Sequence, residues 1–351
     1  MFSTEKLKRM HRLTNECIKY LDKYLTLAIS SGGETNLTEL MTNFSIDLMS
    51  SLSLNQRCAY MEYDSDFTRM ARYVQKATFE KFFWKKRMLD GRDEKVFMSI
   101  LGEEIKKRRS SNLKREDFLQ FMLNAQAEEF RKSHCPLFTD KIVASSIFDF
   151  IMVGSETLAL FLITFLYEMA MSPNVYEKIK VEVESVKKNH GGDLNYEALK
   201  ELVFMEMAMD ENLRLHPGSV ALDRLCNKTY KDADITIEEK TRIVIPVYSI
   251  HMDPKYFPDP EQFKPERFES GHRRSIIPGS YLPFGDGKRQ CIAKKFAKYV
   301  IKMLVAHIAT KYTVKASVNT RVLTYDSRKS VTLTPKEEIM IQFEERPSSP
   351  K

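Results

Sequence analysis

The sequence predicts a mainly α fold with a small β appendage, and three observations predict it. Apolar residues recur at helical spacing over long stretches. Glycine and proline are scarce, at 12 and 13 of 351 residues. Short β-branched runs appear only late in the chain, after Pro217. Hydrophobic residues make up 43% and charged residues 29%, a balance that builds a globular core rather than a disordered chain.

The elements follow in order. Leu7, Met10, Leu13, Cys17, Ile18, Leu21, Tyr24 and Leu25 mark one helix over residues 2–30, which "SSGGE" breaks. Asn36 is placed to cap a second helix reaching residue 54. Residues 65–110 mix aromatics and bases as helices with loops, and 114–132 form another helix that Cys135–Pro136 ends. Thr139–Asp140 open a long apolar helix, and Pro173 starts the next, which Gly191–Gly192 close. Residues 195–217 are helical up to Pro217. "ADITIEE" and "TRIVIPVYSIHMD" read as strands, and "DPKYFPDPEQFKPERF" as a proline-punctuated meander. A last helix is expected over about Cys291–Tyr312, then two short strands around Pro335.

Composition also excludes function classes. Five cysteines (Cys17, Cys58, Cys135, Cys226, Cys291) lie far apart without a CxxC pair, which argues against a disulfide framework and a zinc site and for a reducing compartment. The net charge of +7 favours acidic partners or an anionic surface. No nucleic-acid-reading motif accompanies it, so nucleic acid is not expected as a partner. Ser146–Met171 is the most apolar stretch but contains Asp149, Glu156 and Glu168, which predicts a buried core helix rather than a membrane span.

The stretch "PFGDGKRQCIAKKFAKYV" (283–300) carries the chemistry. Gly285 and Gly287 permit a close backbone approach that a β-carbon blocks. Arg289 is suited to an anionic group, and a helix N-terminus beside Cys291 favours a thiolate. Phe284, Gly287, Arg289, Cys291 and Ala293 match the pattern F-x-x-G-x-R-x-C-x-[GA]. Here the chain resembles the cytochrome P450 haem-thiolate monooxygenases. The resemblance implies haem b (iron protoporphyrin IX), with Cys291 as axial ligand, Arg289 at a propionate and Phe284 shielding the sulfur. Ala293 stands where the family more often has Gly, and one methyl is expected to be tolerated.

Other motifs fall in order. "ENLR" supplies Glu211 and Arg214, and "PERF" supplies Arg267. The resemblance makes these a buried charge network that fixes the cysteine loop, a structural role. Arg224 matches a second propionate-binding arginine. In "VGSET", Gly154 is expected to let the long helix open locally, Thr157 to hydrogen-bond dioxygen or water, and Glu156 to relay protons. The bland alternative for Thr157 is a bond to its own preceding turn. Val153 replaces a smaller residue and is expected to narrow the pocket. Phe148, Phe150, Val220, Leu222 and Thr332 are the remaining candidate substrate contacts, with core filling as the alternative for each. Lys288, Lys294, Lys295 and Lys298 suggest a docking face for an NADPH-dependent flavoprotein reductase, with an ordinary solvated helix face as the alternative.

The resemblance covers one catalytic domain over residues 1–351, closely from Thr139 onward and loosely over 1–138. It looks most like insect microsomal members that oxidise xenobiotics, on the cytosolic face of the endoplasmic reticulum. It also implies an N-terminally truncated form: no anchor precedes "MFSTEKLKRM", and Trp84 is followed four residues on by Met88 rather than Arg. Weak activity is expected on that ground. Three classes stay open: a monooxygenase acting on a lipophilic small molecule with O2, an inactive haem-binding remnant or hydrophobic-ligand binder, and a cofactor-free helical interaction protein.

Overall fold

The computed structural model describes residues 4–54, 91–111, 115, 117–132, 137–326 and 331–347. Cys58, Trp84, Met88, Cys135 and Pro136 lie outside the described residues, as does part of the helical region expected over 65–110.

Helix α1 (Thr4–Ser30) buries Leu7, Met10, Ile18, Leu21 and Leu25 on one face. It ends at Gly32 and Gly33, both with positive φ. A β-carbon on Gly33 would stand 2.5 Å from the Phe343 carbonyl, so only glycine lets the chain pass there. Strand β1 (Glu34–Asn36) follows. Asn36 then caps α2 (Leu37–Leu54) by accepting from the Glu39 amide at 3.1 Å. Two more helices, α3 (Gly91–Ser110) and α4 (Phe118–Lys132), lead to the long α5 (Asp140–Met171).

Helix α5 is long and apolar enough to cross a membrane by length and composition, but 67% of its most apolar window is buried within the protein. Thr139 caps it, and Ser172–Pro173 hand the chain to α6 (Pro173–Asn189). Short α7 (Tyr196–Lys200) and then α8 (Val203–Leu215) complete this half. The large core gathers side chains of α1, α2, α5, α6, α8 and α11 (Lys294–Lys311), the last of which follows two short helices, α9 (Val247–His251) and α10 (Ser270–Arg273). A second cluster joins α3, α4 and the first turns of α5.

Among the described residues the β content is three small antiparallel sheets. Strand β2 (Leu222–Leu225) pairs with β5 (Arg242–Ile245), and β3 (Tyr230–Asp232) with β4 (Ile235–Ile237). The third has the order β1-β7-β6, with β6 at Tyr312–Ala316 and β7 at Met340–Glu345.

Four sequence expectations shift. The one helix expected over 195–217 is two, α7 and α8, parted at Glu201–Leu202. The strand expected through "TRIVIPVYSIHMD" stops at Ile245, because Pro246 has no N–H for the ladder, and Val247–His251 coil into α9. The tail forms one strand rather than two, with an isolated Tyr325–Pro335 bridge beside it. The last helix begins at Lys294, not Cys291, which leaves the cysteine on the loop ahead of the Ile292–Ala293 turn.

Candidate functional site

The cysteine loop is built by its own hydrogen bonds. The Gly285 amide donates to the Leu282 carbonyl (3.0 Å), and the Cys291 amide to the Phe284 carbonyl (2.7 Å). Asp286 accepts from the Gly287 amide at 2.7 Å and caps a 3-10 turn over Gly287–Arg289. Gly285 and Gly287 have φ of 68° and 71°, the left-handed region that β-carbons disfavour. Cys291 is exposed, as are Lys288 and Arg289. Ala293 has φ −92°, so alanine is unstrained where the family more often has glycine.

Strand β2 flanks this loop. Its alternation turns Leu222 and Arg224 to one side, while Asp223 on the other side pairs with Arg242. A β-carbon on Gly285 would lie 3.7 Å from the Leu222 side chain and 3.9 Å from an Arg224 guanidinium nitrogen. Arg224 therefore stands beside the cysteine loop.

Beneath the loop lies a buried charge network. Glu211 and Arg214 are both fully buried. Arg214 donates twice to Glu211 at 2.8 Å, and also to the carbonyls of His251 (3.0 Å) and Gln262 (3.3 Å). Arg267 Nε (3.2 Å) and the Lys264 amide (3.0 Å) also donate to Glu211. All three network residues read from the sequence meet at one carboxylate.

Three partners of this network were not read from the sequence. His251 accepts from the Leu282 amide at 2.9 Å and reaches the Arg214 carbonyl at 3.1 Å. Burial first, and the Arg214 charge after it, push its pKa down to about 4. Tyr281 stacks on His251 and donates to the Asp210 carbonyl at 2.9 Å. Asp210 binds Arg273 (2.9 Å) and Lys298 (2.7 Å). The acidic pair Asp210–Glu211 ahead of Arg214 was the available signal; a lone histidine in an apparent strand offered none.

Several expected contacts have neighbours within the protein. Phe150 packs against Phe118 (4.4 Å between ring centroids) and Phe296 (6.0 Å), and Phe148 against Phe97 (4.8 Å), and both are half-buried at the edge of the core. Helix α5 runs unbroken through Gly154. A β-carbon there would stand 2.3 Å from Met49 Cε, so the glycine leaves room for the end of the Met49 side chain from α2. The Thr157 hydroxyl donates to the Val153 carbonyl at 2.8 Å, the bond to its own preceding turn. Lys298 leaves the exposed basic set: its ammonium pairs with Asp210 and with Glu206 at 3.0 Å. Lys302 joins it, and despite burial the two lysines hold Glu206 at about 2. Lys294 stays exposed, over the Phe284 ring at 5.7 Å.

The other candidates fall as follows. The Val220 amide donates to the Val331 carbonyl at 2.9 Å, which joins the loop after α8 to the last loop. Thr332 there is buried against Thr334. Val153 is 43% exposed on α5, and Glu156 is half-buried. The Phe150–Phe296 contact sets this part of α5 against the first turn of α11, just beyond Cys291.

A haem fits these residues. The donor set is one exposed sulfur with Arg224 beside its loop and Arg289 two residues before it. One soft ligand and two guanidiniums suit an iron that arrives inside a ring with anionic side arms. No β-carbon fills the Gly287 side of the loop, and nothing lies within 4 Å of that direction.

Comparison with known proteins sets this fold and site in a class of oxidoreductases. The family model "Cytochrome P450" matches residues 1–343. The chain is 28% identical over 339 residues to cytochrome P450 3A13 of Mus musculus, covering 92% of this chain and 67% of the relative. It is 27% identical over 373 residues to a probable cytochrome P450 6a14 of Drosophila melanogaster, covering 98% and 73%. A lithocholate 6-beta-hydroxylase of Mesocricetus auratus matches at 28% over 337 residues, 91% of this chain and 67% of the relative. The chain belongs to the cytochrome P450 family of monooxygenase oxidoreductases.

Proposed function

We propose that residues 1–351 act as one catalytic domain that inserts one oxygen atom of O2 into a small lipophilic substrate. The electrons come from NADPH through a flavoprotein reductase. The observation that carries this reading is the placement of Cys291: exposed, on a loop turned by two left-handed glycines, flanked by Arg224 and anchored on a buried charge network.

Haem b bound at Cys291 supplies oxygen activation. The chain's own residues do the rest. Arg224 and Arg289 neutralise the propionates, and Phe284 keeps water from the sulfur. Thr157 has spent its proton on Val153, so its oxygen is left to accept a hydrogen bond from water. Glu156, one residue earlier, hands protons toward it. Val153, Val220 and Leu222 offer apolar surface to the substrate. Lys288, Lys294 and Lys295 form the face that meets an acidic reductase, and their attraction falls with salt.

The family supports the cytosolic face of the endoplasmic reticulum as the site of action. The meander "IPVYSIHMDPKYFPDPEQFKPERF" supports an insect-type branch that oxidises xenobiotics. Insect relatives match at 25–27% and mammalian ones at 26–33%, so this branch rests on the meander and on "YLPFGDGKRQC". One relative is named for hydroxylating lithocholate, which is in keeping with a lipophilic substrate.

The test is the absorption of the dithionite-reduced, carbon-monoxide-treated protein made with ample haem. The band of thiolate-ligated ferrous haem is expected, and Cys291→Ser should abolish it. A folded protein without haem absorption, or an unchanged band in Cys291→Ser, overturns the reading.

A further inference from the structure

We propose that His251 is the positioning residue that sets the cysteine loop on the buried charge network. The proposal rests on Cys291 being the iron ligand. His251 is fully buried at the end of α9, stacked on Tyr281 with ring centroids 5.5 Å apart. Its two nitrogens face opposite demands. The Arg214 carbonyl only accepts, so Nδ1 carries the proton. The Leu282 amide only donates, so Nε2 offers its lone pair. A neutral imidazole meets both at once in one rigid plane.

The clasp is mutual, since Arg214 Nη1 donates back to the His251 carbonyl at 3.0 Å. The position of the Glu211–Arg214 pair thus reaches Leu282 through one side chain. From Leu282 it passes along the loop: the Leu282 carbonyl takes the Gly285 amide, and the Phe284 carbonyl takes the Cys291 amide. Without His251, a backbone amide of the loop and the Arg214 carbonyl at the end of α8 both lose their partners, and a buried polar group without a partner is unstable.

Three substitutions separate the two bonds. The amide oxygen of His251→Gln reaches the Nε2 position and keeps the Leu282 bond. His251→Asn places its amide near Nδ1 and keeps only the Arg214 bond. His251→Phe keeps the stack and loses both. The primary readout is amide hydrogen exchange over residues 282–291 of the haem-free chain, followed by mass spectrometry. Exchange should speed up by roughly 10- to 100-fold in Asn and Phe and stay within about 3-fold of the parent in Gln.

The second readout is the reduced carbon-monoxide spectrum. Asn and Phe should move toward the thiol-ligated form, and Gln should hold the thiolate band. Parent-like exchange in both Asn and Phe overturns the proposal, as does loss of protection in Gln equal to that in Phe. If the parent itself lacks the thiolate band, the ligand reading fails, and the exchange series still decides whether His251 holds the loop.

Discussion

Glu211→Gln tests the charge network most directly. The substitution keeps the shape of the side chain and removes its charge. In the parent, one fully buried carboxylate takes two bonds from Arg214, one from Arg267 and one from the Lys264 amide. Arg214 is wholly buried, and the Arg267 side chain is 13% exposed. With glutamine in place, two buried guanidiniums lose their counter-charge, and one bond to Arg214 becomes donor against donor. Breaking a buried pair from one side costs about 3–5 kcal/mol. The carbonyls of His251, Gln262 and Asp259 still hold the arginines, so the lower half of that range is expected. Urea unfolding of the haem-free protein, followed by circular dichroism, measures it as a shift in midpoint. The control is Glu266→Gln, which breaks an exposed pair with Lys178 and should cost under about 1 kcal/mol. If Glu211→Gln unfolds within about 1 kcal/mol of the parent, the network does not hold this fold.

Two further outcomes are expected. His251 is neutral in the fold, its pKa held at about 4 against 6.5, so between these values the unfolded chain binds the extra proton. Stability is then intact above pH 6.5 and falls as pH drops toward 4, by at most about 3 kcal/mol. The parent's acid unfolding curve should show this slope, and His251→Gln should flatten it. Asp22 and Glu206, both held at about 2, lose their contribution only below the usual carboxylate range. The lysines should also divide. Lys298→Ala, which strips a partner from Asp210 and Glu206, should cost about 1.5–3 kcal/mol in urea unfolding. Lys295→Ala should leave stability within about 0.5 kcal/mol and weaken reductase-supported turnover most at low salt.

Much of the site could be read from the chain because local geometry dictates residue type. A loop with two left-handed positions requires Gly285 and Gly287 whatever surrounds it. Glu211 and Arg214 meet because residues three apart share a helix face. Helix periodicity found α1, α2 and α5, and Asn36 and Thr139 cap the last two as their chemistry suggests. Sequence alone therefore settled what is decided within a few residues: the cysteine loop, the ion pair, the mainly helical class.

The tertiary structure decided everything that depends on which face an element turns toward another. It set Phe148 and Phe150, both half-buried, at the edge of the core against Phe97, Phe118 and Phe296. It set Gly154 against the end of the Met49 side chain and gave Lys298 to a buried acid, since a helix period shows spacing but not the neighbour. Pro246 ended a strand one turn early and so carried His251 to the gap between Arg214 and Leu282. Those two backbone groups lie 37 and 31 residues from it in the chain, and only folding brings a donor and an acceptor from such distances to the two edges of one ring.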